Sequence, residues 1–307
     1  MPRAKKIAST AARTGVPHVQ RERVGIIGAG RVGSALAWHC HRLGFRIAGV
    51  ADKRPKQAWV VYGLLKQPYE HLKAFEVASD SDVLFITTPD SSIEPEFQSV
   101  RRFLVPGSIV AHCAGALGAD AFRGATEQGL DVLALHPIQT FASHAQAIRS
   151  LPGSCFAVGG SRRGRQLGRR LVRLLHGTSF VVKDADRPLY HATCVFASNF
   201  LNSLFAGVES GAACFGLSTR RAARVFVPLG RAVLENIAES GVVRSLTGPI
   251  QRGDWQTVAR HLSALDRRKP ELAPEYRMLS RQLVGLARRR GLDSRTARRL
   301  TKLLEEP

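Results

Sequence analysis

Residues 23–34 read Arg23-Val24-Gly25-Ile26-Ile27-Gly28-Ala29-Gly30-Arg31-Val32-Gly33-Ser34, and this stretch decides the fold. Positions 24–27 have the short, continuous apolar character of a strand buried on both faces. Residues 31–43 follow with a helical pattern, and glycines stand at 28, 30 and 33 between and just inside the two. In that setting each glycine has a physical task. Gly28 permits the tight turn, Gly30 lets the backbone approach a pyrophosphate, and Gly33 lets the helix pack on the strand. The helix N-terminus then offers unpaired N–H groups and the positive end of its dipole to the anion. The competing reading is a tight turn and nothing more. A second strand at 46–51, where a crossover unit needs one, favours the dinucleotide reading. Gly28, Ala29, Gly30, Arg31, Val32 and Gly33 are therefore candidate cofactor-binding residues, and Ser34 is expected to pack rather than bind.

Outward from this loop, apolar runs at 82–87, 108–113 and 131–135 alternate with helical segments, among them 55–65 and one near 71–78. Each of the last two runs is expected to follow a helix. Such alternation predicts crossover units and a parallel sheet. Residues 155–159, 162–176 and 179–182 read as one more strand–helix–strand unit. After 184 the extended runs stop, and long helical patterns occupy 188–214, 218–239, 254–265 and 271–290. Gly241, Thr247-Gly248-Pro249 and Pro270 punctuate them. The expected architecture is α/β: a flexible basic tail at 1–22, a Rossmann-type parallel-sheet domain at 23–183, and an all-helical domain at 184–307.

At 307 residues and 44% hydrophobic content the chain can bury a sizeable core. It has no run of 18 apolar residues, so no membrane-spanning helix is expected. The tail carries Arg3, Lys5, Lys6, Arg13 and Arg21 without an apolar stretch, which argues against a secretory signal. Five cysteines without C-x-x-C spacing argue against a disulfide framework or a zinc site, and no metal is expected. The simple reading is a reducing, cytoplasmic setting. The net charge of +21 is concentrated in arginines of the tail, of 162–173 and of 277–302. No aromatic residues interleave with these clusters, so solvated helical faces are expected rather than a nucleic-acid surface.

In open parallel sheets, ligands sit beyond the carboxyl ends of the strands. The second strand ends in Asp52-Lys53-Arg54, 24 residues after the first glycine of the loop. An acid there accepts hydrogen bonds from the ribose of NAD, whereas adjacent cations pair with the extra phosphate of NADP. Two cations beside one acid tilt the expectation to NADP, with NAD as the alternative. Further strand ends carry Thr87-Thr88-Pro89-Asp90, His112-Cys113-Ala114-Gly115-Ala116 and His136-Pro137-Ile138-Gln139-Thr140-Phe141. Thr87, Thr88, Pro89, His112 and Gly115 are assigned to the cofactor's path. Each histidine also has a plain structural reading, tying down a loop by a hydrogen bond. In the helical region His191, Ser198, Asn199 and Asn202 follow a helical stripe or its edge within an otherwise apolar segment, and such groups need partners or a cleft. Arg252, in Thr247-Gly248-Pro249-Ile250-Gln251-Arg252-Gly253-Asp254, is suited to holding a carboxylate, and Asp254 to capping a helix.

As a set, these motifs resemble the Rossmann-like NADP oxidoreductases that carry a helical C-terminal domain of uncharacterised function. Those belong to the superfamily of 6-phosphogluconate dehydrogenase, ketopantoate reductase and pyrroline-5-carboxylate reductase. The residues carrying the resemblance are the loop 28–33, Thr87-Thr88-Pro89-Asp90, Pro106-Gly107, His112-Cys113-Ala114-Gly115 and His136-Pro137-Ile138-Gln139-Thr140-Phe141. Tyr190-His191-Ala192, Phe196-Ala197-Ser198-Asn199, Thr247-Gly248-Pro249 and Arg252-Gly253-Asp254 extend it. The resemblance implies an NADP-linked reductase whose helical domain supplies substrate contacts and the contacts of a homodimer. One departure stands out. Where ketopantoate reductases and hydroxyacid dehydrogenases place a proton-donating lysine, this chain has His191, and no lysine occurs between 184 and 268. The resulting expectation is hydride transfer from NADPH to a small 2-oxo acid or related carbonyl, ketopantoate included. His191, Asn199 and Arg252 are the expected catalytic residues. The alternative is a non-catalytic dinucleotide-binding sensor or interaction protein.

Overall fold

The computed structural model describes residues 22–305; apart from Glu22, the expected basic tail lies outside the described residues. Two compact units divide the chain, one ending at Phe196 and the other beginning at Ala197. The junction expected at 183/184 lies just before the last helix of the first unit.

The first unit opens with β1 (Arg23–Ile27), α1 (Arg31–Arg42), β2 (Arg46–Ala51), α2 (Pro55–Leu65), α3 (Ala74–Ser79) and β3 (Val83–Ile86). It continues through α4 (Asp90–Val100), β4 (Ile109–His112), β5 (Asp131–Pro137), α5 (His144–Ser150), β6 (Cys155–Gly160), α6 (Arg162–Leu174), β7 (Thr178–Val181) and α7 (Arg187–Ala197). Seven strands form one sheet in the order β2-β1-β3-β4-β5-β6-β7. The chain leaves β1 towards β2 on one side and returns to β3 on the other, so the ends of β1 and β3 form the switch point where ligands bind in such sheets.

Alternation along the strands builds two cores. Val24, Ile26, Val83, Phe85, Ile109, Ala111, Leu133 and Leu135 pack on one face beneath α1, α2, α5 and α6. Ile27, Leu84, Ile86 and Val110 pack on the other beneath α3, α4 and Phe122. By the same alternation His112 and His136 project on this second face, at the carboxyl ends of β4 and β5.

Two expectations need correction. No α-helix precedes β5; the segment from β4 returns through a short 3₁₀ turn at Ala119–Ala121 and irregular loop. The sheet is also not wholly parallel, because β6 pairs with β5 antiparallel while β7 runs parallel to β6. Between β5 and β6 the chain forms only the 7-residue α5, whereas the 13-residue α6 leads from β6 to the parallel β7.

The second unit comprises α8 (Asn199–Ala213), α9 (Thr219–Arg244), α10 (Pro249–Arg252), α11 (Trp255–Arg268), α12 (Ala273–Arg289) and α13 (Ser294–Glu305). Val258, Leu262, Val284, Ala287, Leu300 and Leu304 form its core. The single helix expected over 188–214 is in fact two, broken at Ser198 (φ −132°, ψ −72°). Ser198 Oγ donates to Asn199 Oδ1 at 3.0 Å. Such residues bond locally in non-helical geometry and favour helix ends. The expected stripe through His191, Ser198 and Asn202 is therefore interrupted. Gly241, at φ +77°, breaks α9 as expected, and α13 extends the helical region beyond the predicted 271–290. Part of the arginine excess serves main-chain acceptors: Arg277 and Arg281 donate to the carbonyls of Leu303 and Leu304 at the end of α13, at 3.1 and 3.0 Å. Among the described residues no helix is long and apolar enough to cross a membrane.

Candidate functional site

At the switch point, the Gly28 N–H donates to Ala51 O at 2.8 Å and the backbone turns with φ +98°, which favours glycine. A Cβ on Gly33 would lie 2.1 Å from Gly28 O, so only glycine lets α1 start this close to the end of β1. Thr87 Oγ1, at the end of β3, donates to Gly28 O at 2.6 Å and fastens the turn from the other side. A Cβ on Gly30, by contrast, would meet nothing within 4 Å. No side chain caps α1 and no acid stands in its first turn. The N–H groups of Arg31, Val32 and Gly33 are thus helix-end donors without an intrahelical acceptor. Ser34, buried, donates to Ala29 O at 3.1 Å, which is the packing role expected of it.

A cleft of about 1380 Å³ opens over this turn. It exceeds the roughly 300–1,000 Å³ of pockets for drug-sized ligands and suits an extended dinucleotide. Gly28, Gly30, Arg31, Val32, Asp52, Lys53, Arg54, Thr87, Thr88 and Pro89, all expected from sequence, line it together. Thr88 Oγ1 is buried without a hydrogen-bond partner, an orphan that a ligand would satisfy. A smaller cavity of about 580 Å³ lies at the other end of β2, between Arg46, Tyr62 and Pro68, and has none of these features.

The acid and the two cations at the end of β2 separate in role. The Asp52 side chain is only 8% exposed. Its Oδ2 accepts from Ala29 N and its Oδ1 from Arg54 N, both at 2.8 Å. Asp52 therefore bolts the glycine turn to β2. Lys53 and Arg54 stay exposed in the cleft. Lys73 and His71 join them on its wall, which the sequence reading missed: they lie near α3, distant in sequence from the loop. Phe141 and His144 also line the cleft.

His112 and Gly115 are elsewhere. His112 is fully buried; its Nε2 meets Gly118 O at 2.8 Å and its Nδ1 accepts from Ala114 N at 3.2 Å. Both ring nitrogens tie down the loop after β4, so the histidine assigned to the cofactor's path has no ring nitrogen free for it. Burial also lowers its pKa. Gly115 is buried beneath two other histidines, and a Cβ there would lie 2.5 Å from His191 Cδ2 and 3.0 Å from His136 Nε2.

Two domain families match the sequence. Residues 9–137 match the Rossmann-like domain, and residues 154–283 match a domain of unknown function, DUF2520. The chain thus combines a Rossmann-like domain with a following DUF2520 domain. No curated protein sequence matches it. Among solved structures it is similar to a candidate NADP oxidoreductase from Bacteroides fragilis, at 22% identity over 85% of this chain and 97% of that one, with a TM-score of 0.70. A protein from Thermotoga maritima is similar at 21% identity over 87% and 99%, with a TM-score of 0.66. A reductive aminase from Aspergillus terreus, in complex with NADPH and ethyl-5-oxohexanoate, is similar at 14% identity over 93% of each chain, with a TM-score of 0.58. At these identities the likeness establishes the fold.

The first unit holds a second cluster, built of side chains. His136 Nδ1 and Tyr190 Oη lie 2.6 Å apart, and the His136 and His191 rings meet edge-on at 6.1 Å. Arg187, at the start of α7, is fully buried. It donates to Ala134 O at 3.3 Å, its guanidinium lies 5.9 Å from the Tyr190 ring, and its Nε and Nη1 have no partner. Burial pushes the His136 pKa down to about 4, with the charges of His191 and Arg187 acting the same way. Burial raises the Tyr190 pKa, so the phenol keeps its proton. Cys113, which packs on the opposite face of the sheet, has its thiol pushed up to about 12 by burial, which leaves no thiolate at neutral pH.

Of the expected catalytic residues, His191 belongs to this cluster. Asn199 and Arg252 belong to the second unit, where both are exposed at the start of α8 and the end of α10. Asp254 caps α11 as expected, accepting from Thr257 N at 3.0 Å.

Proposed function

We propose that this protein is an NADPH-dependent reductase of a small 2-oxo acid or related carbonyl. One observation carries the reading: an uncapped helix N-terminus opens into a large cleft whose far wall bears Lys53, Arg54 and Lys73, while Asp52 is occupied by main-chain donors. The amides of Arg31, Val32 and Gly33 suit a pyrophosphate, the lysines and Arg54 an additional phosphate, and Thr88 Oγ1 a polar atom passing close to β3. The Bacteroides fragilis protein is named for NADP, and the Aspergillus terreus enzyme is described with NADPH and a keto ester, which supports the same assignment. Bound there, the nicotinamide supplies a hydride to the carbonyl carbon, and a proton must reach the oxygen. His191 delivers that proton in place of the lysine this chain lacks.

Calorimetry with the two coenzymes tests the cofactor. NADPH should bind at least about 10-fold more tightly than NADH, given about 1.5–3 kcal/mol for hydrogen bonds to charged groups. Lys53→Ala with Arg54→Ala should remove that preference. With a panel of 2-oxo acids, His191→Ala should lower turnover and leave NADPH affinity unchanged. Binding without turnover of any carbonyl would instead favour the sensor reading.

We also propose that the helical unit forms a homodimer. Over α8 and α9, only Ala212 and Ala222 are buried, although the helices run 15 and 26 residues. Leu229 is 64% exposed, Phe215 63% and Leu234 51%. Each such side chain gains about 1.5–3 kcal/mol on burial, and a second copy of the same apolar pair is the occupant that fits. Light scattering should give twice the chain mass, and Leu229→Glu with Leu234→Glu should halve it.

A further inference from the structure

The first unit's side-chain cluster contains more than the reduction proposed above uses. His136, Tyr190 and Arg187 stand around His191 with no assigned task, and Gly115 is shaped to admit the rings. We propose that His136 is a substrate-contacting group, a neutral imidazole held as its Nε2–H tautomer by Tyr190, which donates a hydrogen bond to the carbonyl oxygen as negative charge develops on it. The proposal rests on the reductase reading.

The tautomer follows from the contact. Tyr190 Oη and His136 Nδ1 are 2.6 Å apart, short enough that one must donate to the other. The phenol keeps its proton, and its other partner, the Cys194 thiol, is a weaker acceptor than an imidazole nitrogen. The phenol therefore donates to Nδ1, and the ring's own proton resides on Nε2. That nitrogen lies on the edge of the ring turned to Gly115 and His191. A side chain at 115 would press on it and on the His191 ring, so this packing requires glycine.

The charge state follows from the surroundings. The groups that face His136 are His112 on β4 and Arg187, Tyr190 and His191 on α7; none is an acid, and the guanidinium is permanently charged. A second positive charge on the imidazole is disfavoured. A neutral imidazole can then polarise an oxygen without surrendering its proton, which leaves proton delivery to His191. When hydride reaches the carbonyl carbon, the C=O π pair moves to oxygen. The oxygen accepts the Nε2–H hydrogen bond from His136 and takes its proton from His191, and the nicotinamide is oxidised as the carbonyl is reduced. Tyr190 acts here as a positioning residue.

Nitrogen-15 NMR of the histidine-labelled full chain reads the tautomer directly, with or without coenzyme. The expected spectrum at pH 7 has His136 neutral, with Nδ1 bare and Nε2 protonated, and it stays neutral down to pH 5. Tyr190→Phe should mix the two tautomers. In the kinetic arm His136→Leu should lower kcat roughly 100-fold, the scale of losing one preorganised donor to an oxyanion, and His136→Gln, which keeps an N–H, should recover part of it. NADPH affinity should be unchanged in all three variants, which also reports that they fold. A proton on Nδ1, a charged His136 at neutral pH, or an unaltered kcat in His136→Leu overturns the proposal alone. Wild-type protein that binds NADPH yet reduces no carbonyl overturns both the reductase reading and this one.

Discussion

The glycine turn and the histidine cluster use the same device to opposite ends. In the turn, Gly33 is bare so that main chain can meet main chain, and the chemistry belongs to unpaired amides at the start of α1. In the cluster, Gly115 is bare so that two imidazoles can close over a loop, and the chemistry belongs to side chains from β5 and α7. The first arrangement is rigid because backbone is bonded to backbone between Gly28 and Ala51 and, at Ala29, to the buried Asp52 carboxylate. The second is held by one short hydrogen bond and by a buried cation with two unsatisfied nitrogens. One site is specified by what is missing, the other by what is crowded in.

Substitutions should separate the two. The largest effect is expected for Gly33→Ala, whose methyl would collide with a carbonyl oxygen that cannot move aside. Thermal unfolding should show a loss of about 3 kcal/mol in the first unit, the upper part of the range for overpacking, and NADPH binding should fail with it. A variant of undiminished stability would mean that the turn is softer than its contacts require. Arg187→Leu should behave in the opposite way. It removes two unsatisfied buried donors, each costing about 1–3 kcal/mol, and replaces them by apolar bulk. Stability should hold or rise by about 1 kcal/mol, while the His136 pKa rises from about 4 by the part due to Arg187, burial still holding it below 6.5. A marked loss of stability would show the guanidinium to be a structural tie rather than a source of field.

The smallest effect is a slope with pH. His39, His112 and His136 all have pKa values lowered by burial, so each binds protons better in the unfolded chain. Their contribution is complete above the unfolded value of 6.5 and is lost as pH falls towards the folded values, about 4 for His136. Denaturant unfolding should therefore show stability declining from pH 7 to pH 5. The slope should lessen in His136→Gln, and the turn, which holds no histidine, should contribute nothing to it.

The contrast also explains what could be read in the sequence. Gly28, Gly30 and Gly33 act locally, next to a strand and a helix whose patterns are themselves local, so both turn and cleft were legible. The helix Pro55–Leu65 was likewise read to its ends, with Pro55 at its first turn. The His136–Tyr190 contact spans 54 residues and leaves no trace in spacing. Lys73 and His71 reach the cleft because α3 is carried there by the sheet, not because of any pattern of their own. The antiparallel direction of β6 is a relation between two strands, which the apolar pattern of either one does not reveal. His112 shows the limit from the other side: its place at a strand end was foreseen, but only the contacts to Gly118 and Ala114 show it engaged in holding a loop.

The bond from Ala29 N to the Asp52 carboxylate has a consequence for anyone wishing to retune this fold. In many dinucleotide sites the acid after the second strand is the natural lever for changing coenzyme choice. Here that lever is also a structural rivet, and pulling it would loosen the glycine turn itself. Selectivity is better altered at Lys53 and Lys73, which line the pocket, than at Arg54, whose Nε lies 3.8 Å from the Asp52 carboxylate.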